Sequence, residues 1–355
     1  MNRRDILNWL RETDPERLDD LRRRADAVRR DTVGDDVHLR GLVEFSNHCA
    51  RLCGYCGLRH PNRRLVRYRM TVDDILACAL RAVELGYGTV VLQSGEDGGT
   101  PSSFVVEVVR RIKTETPLAV TLSLGERTPE EMALWREAGA DRYLLRFETS
   151  DPALYDRIHP GHAGTRSDRL GLLSVLRDLG YEVGSGVMVG IPGQTFESLA
   201  GDIEMFRELD LDMIGIGPFI PHPHTPLGRP DVETAGEEQA PNTETTTLKM
   251  LALTRLVCPR TNLPSTTALA TVDADHGRES GLQWGANVVM PNLTPPQYRR
   301  LYEIYPAKSC LAESPETFHE ELLDRIQSIG RTVGAGQGPS PNWALRRDNG
   351  DCHAS

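Results

Sequence analysis

Short runs of β-branched and apolar residues alternate with longer amphipathic stretches along most of the chain. The short runs predict strands, and the helical spacing of apolar residues between them predicts helices. The predicted strands cover residues 37–43, 89–92, 119–122, 142–145, 182–188, 213–216, 265–269 and 287–290. The predicted helices cover residues 71–86, 102–115, 129–138, 168–179, 195–208, 243–257, 276–283 and 295–304. Repeated strand–helix units of this size are typical of an α/β fold whose parallel sheet closes into a (β/α)8 TIM-type barrel.

Three sections of the chain differ in this pattern. Residues 1–35 hold a charged amphipathic helix over residues 2–30, which we expect to form an N-terminal cap at the bottom of the barrel. Residues 36–330 contain the strand–helix repeats and form the predicted barrel. Residues 331–355 include a stretch rich in Gly, Pro, Asn and Ser and are predicted to be a disordered tail.

Polar and glycine-rich motifs follow the predicted strands. In a parallel barrel, the loops that leave the C-terminal ends of the strands build the active site. Arg146 and Glu148 stand two residues apart at the end of the fourth strand, so both side chains can point into the lumen. An arginine there suits a carboxylate, and a glutamate suits ribose hydroxyls or an ammonium group. Arg169, early in the next helix, is a second candidate for binding a carboxylate.

Three cysteines, Cys49, Cys53 and Cys56, lie in one short loop after the first strand with C-x3-C-x2-C spacing. Three thiolates this close can hold three irons of a cubane [4Fe-4S] cluster and leave the fourth iron open to an outside ligand. The competing interpretation is a structural zinc site with His48 or His60 as the fourth ligand. The sequence has no second C-x-x-C, and structural zinc loops usually pair two such knuckles, so the spacing favours the cluster.

Composition limits the classes of partner. The 41 basic and 51 acidic residues give a net charge of −10, which argues against a general nucleic-acid or membrane-surface role. No apolar run approaches the roughly 20 residues of a membrane span, and the N-terminus is charged rather than signal-like. Seven cysteines, three of them clustered, fit reduced intracellular thiols better than a disulfide scaffold. We therefore expect a cytoplasmic protein without nucleic-acid or membrane partners.

The cysteine loop resembles that of the radical S-adenosylmethionine (SAM) superfamily, including Tyr55 directly before the third cysteine. Ser94-Gly95-Glu96 is similar to the Gly-Gly-Glu segment of that superfamily. The resemblance implies a [4Fe-4S] cluster on the three cysteines, with SAM on the open iron. It implies reductive cleavage of SAM to a 5'-deoxyadenosyl radical. The residues implied to hold SAM are Tyr55, Ser94, Gly95, Glu96, Arg146, Glu148, Arg169 and Met188.

A closer resemblance runs from about residue 40 to residue 310. Segments 45–59, 91–97, 121–126, 140–146, 215–223 and 285–292 are similar to the HydE family of [FeFe]-hydrogenase maturases, relatives of biotin synthase and methylornithine synthase. This resemblance implies a role in building the diiron subcluster, with a small molecule or an iron complex as substrate. It implies a flavodoxin or ferredoxin as reductant and other hydrogenase maturases as partners. The residues implied to line the substrate cavity are Arg59, Gln93, Thr121, Ser123, Thr266, Thr267, Met290, Tyr302 and Tyr305.

Two positions depart from the family pattern. Phe147 stands where the family often has histidine, which leaves open a paralogue that acts on an amino acid or a small thiol-containing substrate. Cys310 lacks the downstream pair of cysteines that gives some members a second cluster, so we expect none. A non-enzymatic iron-sulfur carrier is the remaining alternative, although a carrier would not need a SAM pocket built from several strand ends.

Overall fold

Eight strands and fourteen helices follow one another along the residues that the computed structural model describes, 1–161, 167–306 and 315–348. The strands are β1 Asp36–Ser46, β2 Thr89–Ser94, β3 Ala119–Ser123, β4 Arg142–Leu144, β5 Glu182–Val189, β6 Met213–Pro218, β7 Val288–Val289 and β8 Thr332–Val333. The helices are α1 Arg3–Leu10, α2 Pro15–Val33, α3 Val72–Glu84, α4 Ser102–Glu115, α5 Pro129–Glu137, α6 Pro152–Ile158, α7 Arg169–Asp178, α8 Phe196–Glu208, α9 Glu244–Val257, α10 Thr267–Val272, α11 Gly277–Gln283, α12 Pro296–Arg299, α13 Pro315–Ser328 and α14 Pro341–Asp348.

The strands form a parallel barrel. They pair in the order β6-β5-β4-β3-β2-β1-β7. The short segment 262–264 fills the gap between β6 and β7, because Asn262 bridges Met213 and Pro264 bridges Val288. The backbone N–H of Ile214 donates to the carbonyl of Asn262 at 3.0 Å, and that of Ser265 donates to the carbonyl of Val288 at 2.9 Å. The predicted barrel is therefore confirmed.

The seventh predicted strand, residues 265–269, is wrong. Thr266 is the N-cap of α10, and its hydroxyl accepts a hydrogen bond from the backbone N–H of Leu269 at 3.3 Å. A threonine in this position favours a helix start over a strand. Segment 262–264 takes the seventh place in the barrel instead, while the predicted helix at 295–304 shortens to α12.

Side chains of the strands alternate between two environments. Val90, Leu92, Val120 and Leu122 point outward into the apolar core between the strands and the helices. The intervening residues of the same strands point into the lumen. Near its C-terminal mouth the lumen is polar, and it includes Gln93, Thr121, Ser123, Arg146 and Glu148.

The N-terminal section differs from its prediction in two ways. The single predicted helix is split into α1 and α2, because Asp14 caps the backbone N–H groups of Glu16 and Arg17 with Pro15 at the first helical position. Both helices also pack on the side of the barrel rather than under it, α1 against α8 and α9 and α2 against α9. The buried ammonium of Lys249 in α9 fixes this arrangement by donating to the carbonyl of Leu10 at 2.5 Å.

The C-terminal section closes the bottom of the barrel, so the predicted disorder is wrong for residues 331–348. β8 pairs with the first residues of β1, and α14 follows. Between them, the carbonyl of Gln337 accepts from Arg142 Nη2 at 3.0 Å, and the carbonyl of Gly338 accepts from Arg40 Nη2 at 3.0 Å. The Gly, Pro and Ser composition of this segment predicts disorder. In the structure, the same composition leaves its backbone carbonyls accessible to buried arginines. Residues 349–355 lie outside the described residues.

Candidate functional site

The cysteine loop follows β1 at the C-terminal mouth of the barrel. Backbone hydrogen bonds tie it to the rest of the mouth. The N–H of Ala50 donates to the carbonyl of Glu96 at 2.9 Å, after β2, and the N–H of Gly54 donates to the carbonyl of Ile158 at 2.7 Å, at the end of α6. The conformation of this loop is therefore set by distant parts of the chain.

Two glycines allow the cysteine loop and neighbouring backbone segments to lie close together. A Cβ on Gly57 would lie 2.1 Å from the carbonyl oxygen of Glu303. A Cβ on Gly95 would lie 2.3 Å from the carbonyl oxygen of His48 and 2.8 Å from the Cβ of Cys49. Gly95 is one of the residues implied to hold SAM, and the absence of its side chain brings β2 against the cysteine loop.

The three thiols suit a cluster better than a zinc ion. Within the described residues, only Glu96, Glu126 and His159 form a group of three His, Cys, Asp or Glu whose ligand atoms lie within 4.8 Å of one another. The cysteines thus do not converge, with each other or with a histidine, to the roughly 3.8 Å sulfur separation that tetrahedral zinc requires. A cubane cluster holds its thiolates farther apart. The donor set, three thiols in one loop, fits a [4Fe-4S] cluster with one open iron.

Burial raises the pKa of all three thiols, that of Cys56 to about 12. Cys53 is buried, and Cys49 and Cys56 are half-buried. The metal-free loop therefore holds protonated thiols at neutral pH. Binding iron displaces these protons, because only the thiolate is a strong ligand.

A ring of two arginines and two glutamates lies beside the cysteine loop. Arg51, from the loop itself, pairs with Glu96 and with Glu126, the latter at 2.7 Å. Arg169, at the start of α7, contacts Glu96 at 2.7 Å and Glu126 at 3.0 Å. All four side chains are at most 13% exposed. A ring with both signs of charge is suited to the methionine end of SAM, which carries one carboxylate and one ammonium group.

A neutral histidine completes the environment of Arg169. Burial and the neighbouring Arg169 guanidinium lower the pKa of His159 to about 2. Its Nε2 lies 2.7 Å from Arg169 Nη2, and Tyr155 OH lies 3.3 Å from its Nδ1. Because the imidazole is neutral, it accepts a hydrogen bond from the arginine without opposing its charge. The carboxylates of Glu96 and Glu126 are already paired with arginines. We therefore interpret Glu96, Glu126 and His159 as part of an ion-pair cluster rather than as a metal site.

Arg146 and Glu148 point into the lumen as the sequence predicts. Arg146 Nε donates to Glu148 Oε1 at 3.0 Å, and its Nη2 donates to the carbonyl of Val187 at 2.7 Å. A Cβ on Gly186 would lie 2.1 Å from the carbonyl oxygen of Gly215, which itself accepts from Arg146 Nη1, and 3.0 Å from that Nη1. Glu148 has a φ of 66°, which is uncommon for a residue with a side chain. This backbone strain turns the end of β4 and holds the carboxylate at the mouth.

The other residues implied to hold SAM lie around the same mouth. Ser94, the last residue of β2, donates to the carbonyl of Gly95 at 2.7 Å. Tyr55 and Met188 are half-buried against a small apolar cluster separate from the main core. That cluster consists of Leu154, Ile158, Ile191, Phe219 and Leu227. It supplies an apolar surface of the kind that an adenine ring requires.

The residues implied to line the substrate cavity lie on several strands and loops. Gln93 Nε2 donates to Tyr302 OH at 3.3 Å, across the lumen from β2 to the segment after α12. The hydroxyl of Thr121 is buried and has no hydrogen-bond partner among the described residues. Thr266 donates to the carbonyl of Ile216 at 3.2 Å, and the guanidinium of Arg59 donates to the carbonyl of Leu52. The remaining four, Ser123, Thr267, Met290 and Tyr305, are half-buried.

Phe147 does not line the lumen. Its ring packs outward against Phe206 of α8, with 5.6 Å between the ring centroids. The alternation of β4 requires this orientation, because Arg146 and Glu148 on either side face inward. The departure from the family pattern at this position therefore changes the core rather than the substrate cavity. Cys310, the second departure, lies outside the described residues.

Sequence reasoning missed two members of the ring and the histidine beside it. Arg51, Glu126 and His159 were absent from the predicted site, although Arg51 lies between two cluster cysteines and Glu126 ends the motif after β3. The places of Arg51 and Glu126 in these two motifs could have identified both residues from the sequence. His159 has no such signal, since its contact with Arg169 arises only when α6 and α7 pack at the same mouth.

The fold and the three-cysteine loop define a radical SAM protein, and residues 43–217 match the radical SAM superfamily model. The chain is 48% identical over 87% of its length to the [FeFe] hydrogenase maturase subunit HydE of Thermotoga maritima, covering 85% of that protein. It is 27% identical to 3-methylornithine synthase of Methanosarcina acetivorans, over 92% of this chain and 87% of that one. A crystal structure of methylornithine synthase (PylB) shares the fold, with a TM-score of 0.79, 24% identity and 94% of each chain covered. The chain belongs to the HydE family of radical SAM enzymes, which carry a [4Fe-4S] cluster and SAM.

Proposed function

We propose that this chain cleaves SAM at its cysteine loop and acts on the diiron precursor of [FeFe]-hydrogenase, as a HydE-type maturase. The 48% identity to HydE carries the proposal, because it extends over 87% of the chain. When bound, the [4Fe-4S] cluster supplies the electron that breaks the sulfonium bond of SAM. The protein's own contribution is to bind and orient SAM and the substrate and to exclude water.

The residues around the mouth divide this work. Arg169 and Glu96 offer opposite charges to the carboxylate and ammonium groups of SAM, and the ring around them keeps both side chains in place. We assign Glu148 to the ribose hydroxyls, because its carboxylate lies beside Arg146 at the same mouth. Below them, the hydroxyls of Thr121 and Ser123 line the lumen where a substrate would bind. A buried hydroxyl without a protein partner, such as that of Thr121, is suited to bind a polar ligand atom.

Two alternative functions have less support. A paralogue acting on an amino acid loses its main support, because Phe147 faces away from the lumen. A non-enzymatic cluster carrier does not account for a mouth lined by polar and charged residues from five strand ends.

Partners and location follow from the same proposal. We propose that a flavodoxin or ferredoxin supplies the electron and that the other hydrogenase maturases supply or receive the iron complex. No helix of the described ranges is long and apolar enough to cross a membrane. We propose a cytoplasmic location, because the cluster requires reduced thiols.

Two measurements test the function. Anaerobically reconstituted protein should contain about four irons, and its reduced EPR signal should change when SAM is added. With dithionite and SAM it should release 5'-deoxyadenosine, and its gene should restore hydrogenase activity in a strain lacking its own copy. Cluster transfer to an acceptor without SAM cleavage would favour the carrier. SAM cleavage without complementation would favour the paralogue.

A further inference from the structure

The segment that carries the cysteine loop has an unusual charge composition. Residues 45–72 contain six arginines and no Asp or Glu, in a chain whose net charge is −10. Two of the six are neutralised: Arg51 pairs with the glutamates of the ring, and Arg69 pairs with Asp97 at 2.7 Å. The other four have no carboxylate partner of this kind in the described part of the chain.

Arg59, Arg63, Arg64 and Arg67 form no ion pair with a carboxylate of the described residues. Arg63 and Arg64 are exposed. Between them and Arg67 lies Val66, whose side chain is exposed to 66%, the highest value among the exposed large apolar side chains of the described chain. We call these five residues the arginine patch.

The arginine patch forms the outer wall of the cysteine loop. Arg67 Nη1 donates to the carbonyl of Leu58 at 2.9 Å and also bonds the carbonyl of Asn47, just before the first cysteine. Arg59 Nη2 donates to the carbonyl of Leu52, directly before Cys53. Only a few residues of loop therefore separate this surface from the three thiols.

We propose that the arginine patch is the docking surface for a flavodoxin-like electron carrier with an acidic face. The inference rests on the proposed function, because SAM cleavage needs one electron at the cluster. In the step, the carrier is oxidised by one electron and the cluster is reduced by one, and no bond is made or broken. Electron tunnelling falls steeply with distance, so a carrier must dock close to the cysteine loop.

Charge and shape both favour this partner. An acidic carrier is repelled by a surface of net negative charge and attracted to a local group of unpaired arginines, which orients it before contact. The exposed edge of a flavin is apolar, and Val66, between Arg64 and Arg67 in the sequence, offers an exposed apolar contact. A flavodoxin therefore suits the patch better than a carrier whose redox centre is ringed only by polar groups.

The test compares two double variants with the same net charge. Arg63→Glu/Arg64→Glu reverses the two exposed charges of the patch. Arg4→Glu/Arg110→Glu reverses two exposed arginines, on α1 and α4, that likewise pair with no carboxylate of the described residues. Any effect of overall charge is identical in the two proteins, so a difference between them reports the location of the change.

Two readouts are measured on reconstituted protein: the affinity for oxidised flavodoxin at low ionic strength, and the rate of cluster reduction by flavodoxin hydroquinone. We expect the patch variant to lose roughly tenfold or more in both, with the loss shrinking as salt is added, and the control variant to stay within about twofold of the parent. Dithionite, a small reductant, should reduce both variants and the parent at equal rates. It should also support equal 5'-deoxyadenosine formation.

Several outcomes would overturn the proposal. Equal losses in both double variants would show a general charge effect. Normal flavodoxin binding with impaired ferredoxin binding would assign the patch to the other carrier. Normal reduction with impaired hydrogenase activation would assign it to a maturase partner. If dithionite-reduced parent protein cleaves no SAM, the proposed function fails instead, and the binding measurement still reports on docking.

Discussion

The two mouths of the barrel use the same residue types for different purposes. At the N-terminal mouth, Arg142 pairs with Glu182 at 2.5 Å, with side-chain exposures of 5% and 3%. Four residues further along the chain, Arg146 pairs with Glu148 at 3.0 Å, and the arginine side chain is 29% exposed. The lower pair is covered by the C-terminal segment, whereas the upper pair borders an accessible lumen. The same residue pair is thus buried at one mouth and accessible to a ligand at the other.

The surroundings of the buried arginines extend this comparison. At the N-terminal mouth, the partners of Arg142 include backbone and hydroxyl oxygens, from Gln337 and Thr89. At the C-terminal mouth, Arg51 and Arg169 meet carboxylates that a zwitterionic ligand can replace or share. The buried contacts of Arg142 leave no room for a ligand, whereas Arg51 and Arg169 form a charged surface next to the cysteine loop. Mutations at the two mouths should therefore separate stability from cofactor binding.

The largest expected effect is at the cluster itself. Cys56→Ala removes one of three iron ligands, so reconstituted protein should fall from about four irons per chain to nearly none and release no detectable 5'-deoxyadenosine. Cys78→Ala is the control, because Cys78 is buried in α3, away from the loop. The control should retain its iron and lose only about 1 kcal/mol of unfolding free energy. A cluster that survives without Cys56 would contradict the assignment.

The next largest effect is expected for a substitution at the N-terminal mouth, which should lower stability without changing SAM binding. Arg142→Met leaves Glu182 buried without its cation and should lower the free energy of unfolding by about 3–5 kcal/mol. Chemical denaturation of the purified variant measures this loss. SAM affinity at a temperature where the variant is folded should be unchanged. Weaker SAM binding in this variant would remove the distinction between the two mouths.

Arg169→Met makes the matching substitution at the C-terminal mouth. Loss of charge-assisted hydrogen bonds to a ligand costs about 1.5–3 kcal/mol, so the Kd for SAM should rise roughly 10- to 100-fold. Equilibrium dialysis and the SAM-dependent change in the EPR signal measure this. The Arg142→Met protein serves as the control. Unchanged affinity in Arg169→Met would exclude this arginine from the SAM site.

The smallest effect concerns pH and the base of the cysteine loop. Burial of Asp97 raises its pKa, but hydrogen bonds from Arg69, Ser46 and Thr100 outweigh burial and hold the pKa well below its usual range. A lowered carboxyl pKa contributes stability above about pH 4, where the unfolded group is ionised, and this is lost as the pH falls through the folded pKa.

Asp97→Asn should therefore cost about 1–2 kcal/mol of unfolding free energy at pH 7. The difference from the parent should stay constant down to about pH 4 and shrink below it. Denaturation of the metal-free proteins at several pH values measures the difference. A difference that grows as the pH falls would contradict the assigned direction of the pKa shift.

Much of the fold was accessible from local pattern. Seven of the eight predicted strands occur in the structure, because β-branched runs bounded by polar turns specify strands without help from distant residues. The exception, residues 265–269, failed because the cap hydroxyl of Thr266 makes a helix of a run with high β propensity. The N-terminal helix was broken at Pro15, whose restricted φ fits the first turn of a helix.

By itself, the sequence determined the chemistry of the cluster loop and the side of each strand that faces the lumen, because spacing and alternation are local properties. Only the tertiary structure decided that residues 336–340 fill the N-terminal mouth, that Phe147 packs outward against Phe206, and that Arg51 meets Glu126. These contacts join residues far apart in the chain. Their formation depends on desolvation and on the packing of whole helices, which no local pattern records.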